Sequence, residues 1–211
     1  MYLSNEASKY GGYLLTTFAI MQFLFSPVLG SLSDKYGRRP ILLFSLFGFG
    51  IDYLIMAFAP TYAWLFVGRL VAGITGASFT TASAYIADIS DDSNRHKNFG
   101  MIGVAFGVGF IIGPALGGLL GKWSPQYPFF AAAAMSLINF LYGFFILPES
   151  LPKEKRRALD WKRLNPISTL LKLRKYKNIG WLMFAFFLLY LGSHAVQSNW
   201  SLFYYVQVQM V

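Results

Sequence analysis

A few charged residues interrupt long apolar stretches of this sequence, and their types could do chemistry. Asp52 and Arg69 each stand inside such a stretch. A charge placed in hydrocarbon costs free energy, so an ionisable residue at this kind of position predicts a functional role. Arg69 should face a wet cavity or an acidic partner, unless its side chain extends to the membrane surface. Asp52 is a candidate contact for a proton or a charged substrate, with a structural role as the alternative.

Further charges gather where the apolar stretches end. Asp34 is followed by Arg38 and Arg39, and Asp88 is followed by Arg95. Carboxylate and guanidinium groups can form charge-assisted hydrogen bonds that open and close with a conformational change. We expect Asp88 to pair with Arg38 or Arg39, because it lies at the inner end of its apolar stretch.

The sequence offers little for catalysis or metal binding. It contains no cysteine, which excludes disulfides, thiolate metal ligands and a cysteine nucleophile. It shows no serine-nucleophile motif and no phosphate-binding Gly-Lys motif. His194 has no second His, Asp or Glu near it in the sequence and is therefore not evidence of a metal ligand. We expect no enzyme activity, no cofactor and no metal site.

The elements that must position the charged residues are membrane-spanning helices. Hydrophobic residues make up 55% of the 211 residues, and charged residues make up only 13%. Several stretches without Asp, Glu, Lys or Arg are about as long as the roughly 20 residues that cross a bilayer. The sequence therefore predicts an all-α membrane protein. Its six spans are expected at residues 11–32, 40–59, 62–85, 99–120, 127–147 and 179–207.

The basic residues lie almost entirely on one side of this topology. Of the 18 Lys and Arg residues, 15 fall in the segments 33–39, 88–97 and 148–178. By the positive-inside rule these segments are cytoplasmic. This distribution argues against nucleic-acid binding, which needs basic residues on one face of a soluble fold. The segment 148–178 is predicted to lie on the inner membrane surface and to contact anionic lipid, with a partner site as the alternative.

Residues 30–40 carry a motif with two glycines around an acid. The run Gly-Ser-Leu-Ser-Asp-Lys-Tyr-Gly-Arg-Arg resembles the loop between helices two and three of the major facilitator superfamily. Glycines at both ends suit a short turn between neighbouring helices. A plain positive-inside loop is the alternative. The resemblance implies a cytoplasmic gate that consists of Gly30, Asp34, Gly37, Arg38, Arg39, Asp88 and Arg95.

Two further stretches resemble the same superfamily. Arg69 with Gly73 and Gly76 is similar to its helix-four motif, in which glycines let a neighbouring helix approach. Residues 103–118 resemble the motif of drug/proton antiporters, in which a proline kinks the helix and glycines pack against a neighbour. A generic small-residue packing helix explains the glycines but not the full spaced set. The motif residues are Gly109, Gly113, Pro114, Gly117 and Gly118.

The residues around Asp52 and the spacing of Asp88 and Arg95 are similar to those of the tetracycline antiporters. This resemblance implies proton-coupled export of a small amphipathic drug, such as tetracycline, across a bacterial inner membrane. A polar stripe in the last span either contacts the drug, as the resemblance implies for a helix that borders the central cavity, or forms hydrogen bonds between helices. The stripe consists of His194, Gln197 and Ser201, which share one helix face by three-and-four spacing.

Compared with that family, the chain corresponds to helices two to seven. We expect most of an N-terminal helix bundle over residues 1–147, a linker over 148–178 and the first helix of a second bundle over 179–211. The family's first helix, with its acidic residue near the substrate, and most of the second bundle are not part of this correspondence. The alternative expectation is a transport-inactive fragment or a module that packs against other helices.

Overall fold

The computed structural model describes residues 2–159, 164–165 and 180–192 of the chain. The chain divides into two compact units, Met1–Pro166 and Ile167–Val211. The first unit contains α1 (Tyr2–Tyr36), α2 (Arg38–Ala57), α3 (Tyr62–Gly76), α4 (Phe79–Asp88), α5 (Arg95–Gly121), α6 (Tyr127–Ile146) and a short 3-10 turn at Lys153–Lys155. The described part of the second unit is a shorter apolar helix, α7 (Gly180–Gly192).

Within the described residues, five helical stretches are long and apolar enough to cross a membrane. They are Tyr10–Tyr36, Arg38–Ala57, Tyr62–Asp88, Arg95–Gly121 and Tyr127–Ile146, and they match the first five predicted spans. The third stretch passes through α3 and α4, with a turn at Ala77 and Ser78 between them. Of the sixth predicted span, α7 is described and the remainder lies outside the described residues.

The connection between α1 and α2 is tighter than the sequence predicts. The prediction of a loop over residues 33–39, with Gly30 and Gly37 shaping the turn, is wrong in its extent, because α1 continues to Tyr36 and α2 begins at Arg38. Gly30 is helical within α1 and takes no part in the turn. Gly37 alone makes the connection, with a φ of 109° in the left-handed region that favours glycine. The next connection on this side is also shorter than predicted, since α4 ends at Asp88 and α5 begins at Arg95.

Close packing of α1, α2, α3 and α6 forms the core of the first unit. The most extensive contacts are those of α2 with α6, of α1 with α3 and of α2 with α3. A Cβ added to Gly73 of α3 would lie 2.7 Å from the Phe18 carbonyl oxygen of α1. This close approach confirms the packing role predicted for Gly73. Gln22 of α1 donates a hydrogen bond to the Gly76 carbonyl of α3 at 3.1 Å, so α1 is held directly against the helix that carries Arg69.

The helix α5 differs from the other long helices of the first unit. Within the described part of the chain it has no buried residue. Pro114 lies inside this helix. The motif glycines are Gly109, Gly113, Gly117 and Gly118. A Cβ added to any of them would have no described heavy atom within 4 Å. The antiporter motif predicts that this glycine face of α5 packs against a neighbouring helix, but no described residue covers it.

Candidate functional site

An ion pair inside the bundle joins Asp52 of α2 to Arg69 of α3, and we call these two residues the intramembrane pair. Arg69 Nη2 donates a hydrogen bond to Asp52 Oδ2 at 2.8 Å. The Asp52 side chain is 1% exposed and the Arg69 side chain 20% exposed. The guanidinium also contacts the Met56 sulfur and lies over the Phe18 ring, 5.9 Å from its centroid. Arg69 thus has the acidic partner that a buried guanidinium needs.

The intramembrane pair is incompletely hydrogen-bonded. Asp52 Oδ1 and Arg69 Nε are buried and have no hydrogen-bond partner among the described residues. Most buried side-chain polar atoms in folded proteins have at least one partner. Of the two atoms, Asp52 Oδ1 can accept a further hydrogen bond and Arg69 Nε can donate one. Gly68 of α3 makes room for the Asp52 carboxylate itself, since a Cβ there would lie 2.7 Å from Asp52 Oδ1.

A second charged site lies where α1 and α4 end and α2 begins. We call its members, Ser33, Asp34, Arg38 and Asp88, the gate cluster. Arg38 connects the other three residues. Its Nη1 donates to Asp34 Oδ1 at 2.6 Å and to Ser33 Oγ at 2.7 Å, while its Nε donates to Asp88 Oδ2 at 3.2 Å. One guanidinium group, with donors in a fixed planar arrangement, thereby joins three helices.

Arg39 is the neighbour of Arg38 but has different partners. Its Nη2 donates to the Phe144 carbonyl oxygen at 2.5 Å, and its guanidinium lies 5.7 Å from the centroid of the Phe144 ring. That carbonyl is in the last turn of α6, where the helix dipole favours a cation. Of the two arginines proposed as partners of Asp88, the structure therefore selects Arg38.

Arg95 is not brought into the gate cluster. Within the described residues its ion pair is with Asp92, at 3.7 Å, and both side chains are exposed. Because exposed pairs of this kind contribute little free energy, the structure gives no support to a gate role for Arg95. The resemblance placed Arg95 in the gate by its spacing from Asp88, and spacing along the chain does not determine the direction of the intervening turn.

The segment 148–157, which we call the strap, follows α6 and was missed as part of the site. Ser150 Oγ donates to Asp88 Oδ2 at 3.2 Å, and the Arg157 backbone N–H donates to the Asp34 carbonyl oxygen at 3.0 Å. Tyr85 of α4 donates its hydroxyl to the Pro148 carbonyl at 3.1 Å. The available signal was Glu149, an acidic residue directly after a span in a mostly basic segment.

His194, Gln197 and Ser201 lie outside the described residues, as does most of the predicted linker. Among the candidates that the structure describes, two groups form sites in the first unit, namely Asp52 with Arg69 and Asp34 with Arg38 and Asp88. Long apolar helices with a buried ion pair and a charged cluster at one end of the bundle define a polytopic membrane protein with the features of a transporter. A family model described as Major Facilitator Superfamily matches residues 4–210. The chain belongs to this superfamily.

Individual relatives agree with this assignment. The chain is 45% identical over 200 residues to the class C tetracycline resistance protein of Escherichia coli, a match that covers 95% of this chain and 50% of that protein. It is 35% identical over 161 residues to multidrug resistance protein 2 of Bacillus subtilis, covering 76% of this chain and 40% of that protein. The chain thus spans half or less of the length of these curated relatives.

A solved structure shows the same fold. The crystal structure of the human organic anion transporter MFSD10 (TETRAN) matches with a TM-score of 0.67 at 34% identity, over 75% of this chain and 38% of that chain. The predicted fold class, an all-α partial bundle of the major facilitator superfamily, is confirmed, and so is the resemblance to the tetracycline resistance proteins.

Proposed function

We propose that the protein to which this chain belongs exports a small amphipathic drug in exchange for protons. The observation that carries the proposal is the intramembrane pair, because Asp52 is almost completely buried between two membrane-spanning helices. Ionisable residues at such positions mark ion and substrate pathways. Protonation of Asp52 removes the countercharge of Arg69, so that a proton and a drug can use the pair in alternation. The resistance proteins among the relatives support a drug as the substrate class.

In this mechanism the gate cluster closes the cytoplasmic end of the bundle. The basic segments support that orientation through the positive-inside rule. Export then proceeds by alternating access, in which two helix bundles move against each other about a central site. The Gly113-Pro114 step of α5 supplies a point at which the helix bends, because proline removes a backbone hydrogen bond. The polar stripe of His194, Gln197 and Ser201 adds contacts to the drug.

The membrane itself is the second proposed partner. We place the protein in a bacterial inner membrane, with the gate cluster and the strap facing the cytoplasm. Lys153 and Lys155 are exposed at the 3-10 turn of the strap, where they are free to contact anionic lipid headgroups. Such contacts contribute about 1 kcal/mol per basic residue near a negatively charged leaflet.

Transport by inside-out membrane vesicles tests the proposal. Vesicles that contain the full-length product of the gene should accumulate a fluorescent or radiolabelled tetracycline when a proton gradient is imposed, and a protonophore should abolish accumulation. Asp52→Asn should abolish it too, although the protein remains in the membrane. Accumulation that survives the protonophore contradicts proton coupling, and accumulation of no drug in a resistance-linked panel contradicts the substrate class.

The open face of α5 favours a second candidate function, a helix-packing module. Its motif glycines are uncovered within the described residues, and small residues allow close helix approach in a membrane. On this hypothesis the 211-residue chain binds other helices without transporting anything. Expression of the full-length gene product and of this chain alone in a drug-sensitive strain distinguishes the candidates. A transporter should make cells that carry the full-length product drug-resistant, whereas a module should leave drug susceptibility unchanged in both cases.

A further inference from the structure

Glu149 makes a set of contacts at the start of α2 that the proposed transport mechanism does not use. Its Oε1 accepts a hydrogen bond from the Arg38 backbone N–H at 2.8 Å, and its Oε2 accepts one from the Arg39 backbone N–H at 3.3 Å. The first N–H groups of a helix have no partner within that helix. Pro40, the third residue of α2, has no N–H at all. Glu149 therefore satisfies both N–H groups that the first three residues of α2 present.

The cap of α2 is matched by a cap of α6. Glu149, just beyond the C-terminus of α6, places a negative charge at the positive end of the α2 dipole. Arg39, in the first turn of α2, donates to the Phe144 carbonyl at the negative end of α6. The two neighbouring helices thus exchange side chains of the sign that each helix end favours. This exchange holds the end of α6 to the start of α2.

Gly37 packs directly against the same Glu149 carboxylate. A Cβ added to Gly37 would overlap the Glu149 carboxylate group. The glycine of the turn therefore satisfies two requirements, the left-handed backbone and the space that Glu149 occupies. The strap supplies further contacts, because the Leu151 N–H donates to Glu149 Oε1 at 3.0 Å and Arg156 lies 3.9 Å from Glu149 Oε2.

We propose that Glu149 is a positioning residue of the gate cluster. By holding the first N–H groups of α2, it fixes the backbone from which the Arg38 side chain reaches Asp34 and Asp88. The strap thereby couples the end of α6 to closure of the gate, and release of Glu149 from α2 frees Arg38 to leave its carboxylate partners. This inference rests on the proposed function of the gate cluster as a cytoplasmic closure.

A buried reporter cysteine measures gate closure without any drug. The chain has no cysteine of its own, and any cysteine elsewhere in the full-length protein is first replaced. Thr81 of α4 is 1% exposed and lies two turns before Asp88, so Thr81→Cys should react slowly with a membrane-impermeant maleimide applied to inside-out vesicles. Glu149→Gln should accelerate labelling at least about fivefold, because the amide loses the charge-assisted bonds to α2.

Matched variants separate positioning from general damage. Glu154→Gln removes the same charge from an exposed site on the strap and should leave labelling unchanged. Glu149→Asp keeps the carboxylate and should restore at least part of the slow labelling. If Glu149→Gln does not reach the membrane, Gly37→Ala gives the second test, since its methyl group displaces the Glu149 carboxylate and should also accelerate labelling.

Arg38→Ala serves as the reference for an open gate and distinguishes two failures. Rapid labelling with Arg38→Ala but wild-type labelling with both Glu149→Gln and Gly37→Ala would overturn the role of Glu149 alone. Wild-type labelling with Arg38→Ala would overturn the gate itself and, with it, this inference. Drug accumulation in the same vesicles tests the proposed transport independently of both results.

Discussion

The gate cluster and the intramembrane pair use the same chemistry in different surroundings. In both, an arginine binds a carboxylate on a neighbouring helix. Arg38 has three side-chain acceptors, and Asp88 receives a further hydrogen bond from Ser150. Asp34 and Asp88 retain 35% and 26% side-chain exposure. Among the described residues, Arg69 makes one ion-pair contact, to an aspartate that is 1% exposed.

This difference determines how each site responds to change. Arg38 is 11% exposed, but water reaches its partly exposed carboxylate partners. The bonds of the gate cluster can therefore open and close at a lower free-energy cost than those of a pair with a fully buried carboxylate. In the intramembrane pair, loss of one charge leaves the other uncompensated in a site of low polarity, which costs several kcal/mol. A partly exposed network therefore suits a reversible closure, and a sparse buried pair suits a site that responds to a single proton.

The largest expected effect is loss of one partner of the intramembrane pair. Arg69→Gln or Asp52→Asn alone should destabilise the folded protein by about 3–5 kcal/mol, because removal of one member of a buried pair leaves an unpaired charge. The double variant should recover much of this stability, since two neutral amides can hydrogen-bond to each other. Thermal unfolding of the detergent-solubilised protein measures both.

Transport should not recover in the double variant. If the pair has only the structural role that the sequence left open for Asp52, the double variant will restore drug accumulation together with stability. Wild-type stability in both single variants would contradict the buried pair itself.

A smaller effect is expected in the gate cluster, and it should depend on geometry as well as charge. Arg38→Lys keeps the charge but cannot reach Asp34, Ser33 and Asp88 together, so transport should fall about tenfold, close to the effect of Arg38→Ala. Arg95→Ala is the matched control at the same end of the bundle. It removes an exposed pair with Asp92 and should leave transport within the error of the vesicle assay. If Arg95→Ala reduces transport as much as Arg38→Lys does, Arg95 has a role in the gate and its exclusion from the gate cluster is wrong.

The smallest effect is expected at the start of α5. Asp91 accepts hydrogen bonds from the Ser93 hydroxyl and from the Asn94 backbone N–H, and these bonds lower the pKa of its carboxyl group. The stabilisation is present above the pKa of the unfolded chain and is lost as the pH falls through the lowered native value. The protection factors of the amides in the first turn of α5, which are corrected for the intrinsic pH dependence of exchange, should therefore fall at acid pH, and this fall should be absent in Asp91→Ala. Asp92→Ala, a change at the exposed neighbour, should retain the acid response.

The two sites also differ in how far the sequence predicts them. Asp52 and Arg69 stand out because a charge in an apolar span is rare, but nothing in the sequence pairs them. They lie 17 residues apart on helices whose rotation depends on packing at positions such as Gly73. Asp34 and Arg38 are visible in the sequence as opposite charges four residues apart, although the structure places them on two different helices, α1 and α2. The partner of Asp88 cannot be chosen between Arg38 and Arg39 from the sequence, because the choice depends on where the helices end.

Glu149 shows why part of the gate is beyond sequence reasoning. It lies 111 residues from Arg38, and it binds backbone N–H groups, which every residue except proline carries. No residue type on α2 identifies these donors as its partners. The glycine at position 37 is likewise explained as a turn from the sequence alone, whereas its second requirement, space for the Glu149 carboxylate, depends on a distant segment.

Length and composition by themselves determined that this protein crosses a membrane, because an apolar stretch of about 20 residues has few other stable environments. Charge distribution gave the expected orientation, and short motifs gave the superfamily. Only the tertiary structure decided which carboxylate pairs with which arginine, that Arg95 stands apart, and that the strap closes around the start of α2. Helix crossing angles and helix ends fix those choices, and they arise from contacts between residues far apart in the chain.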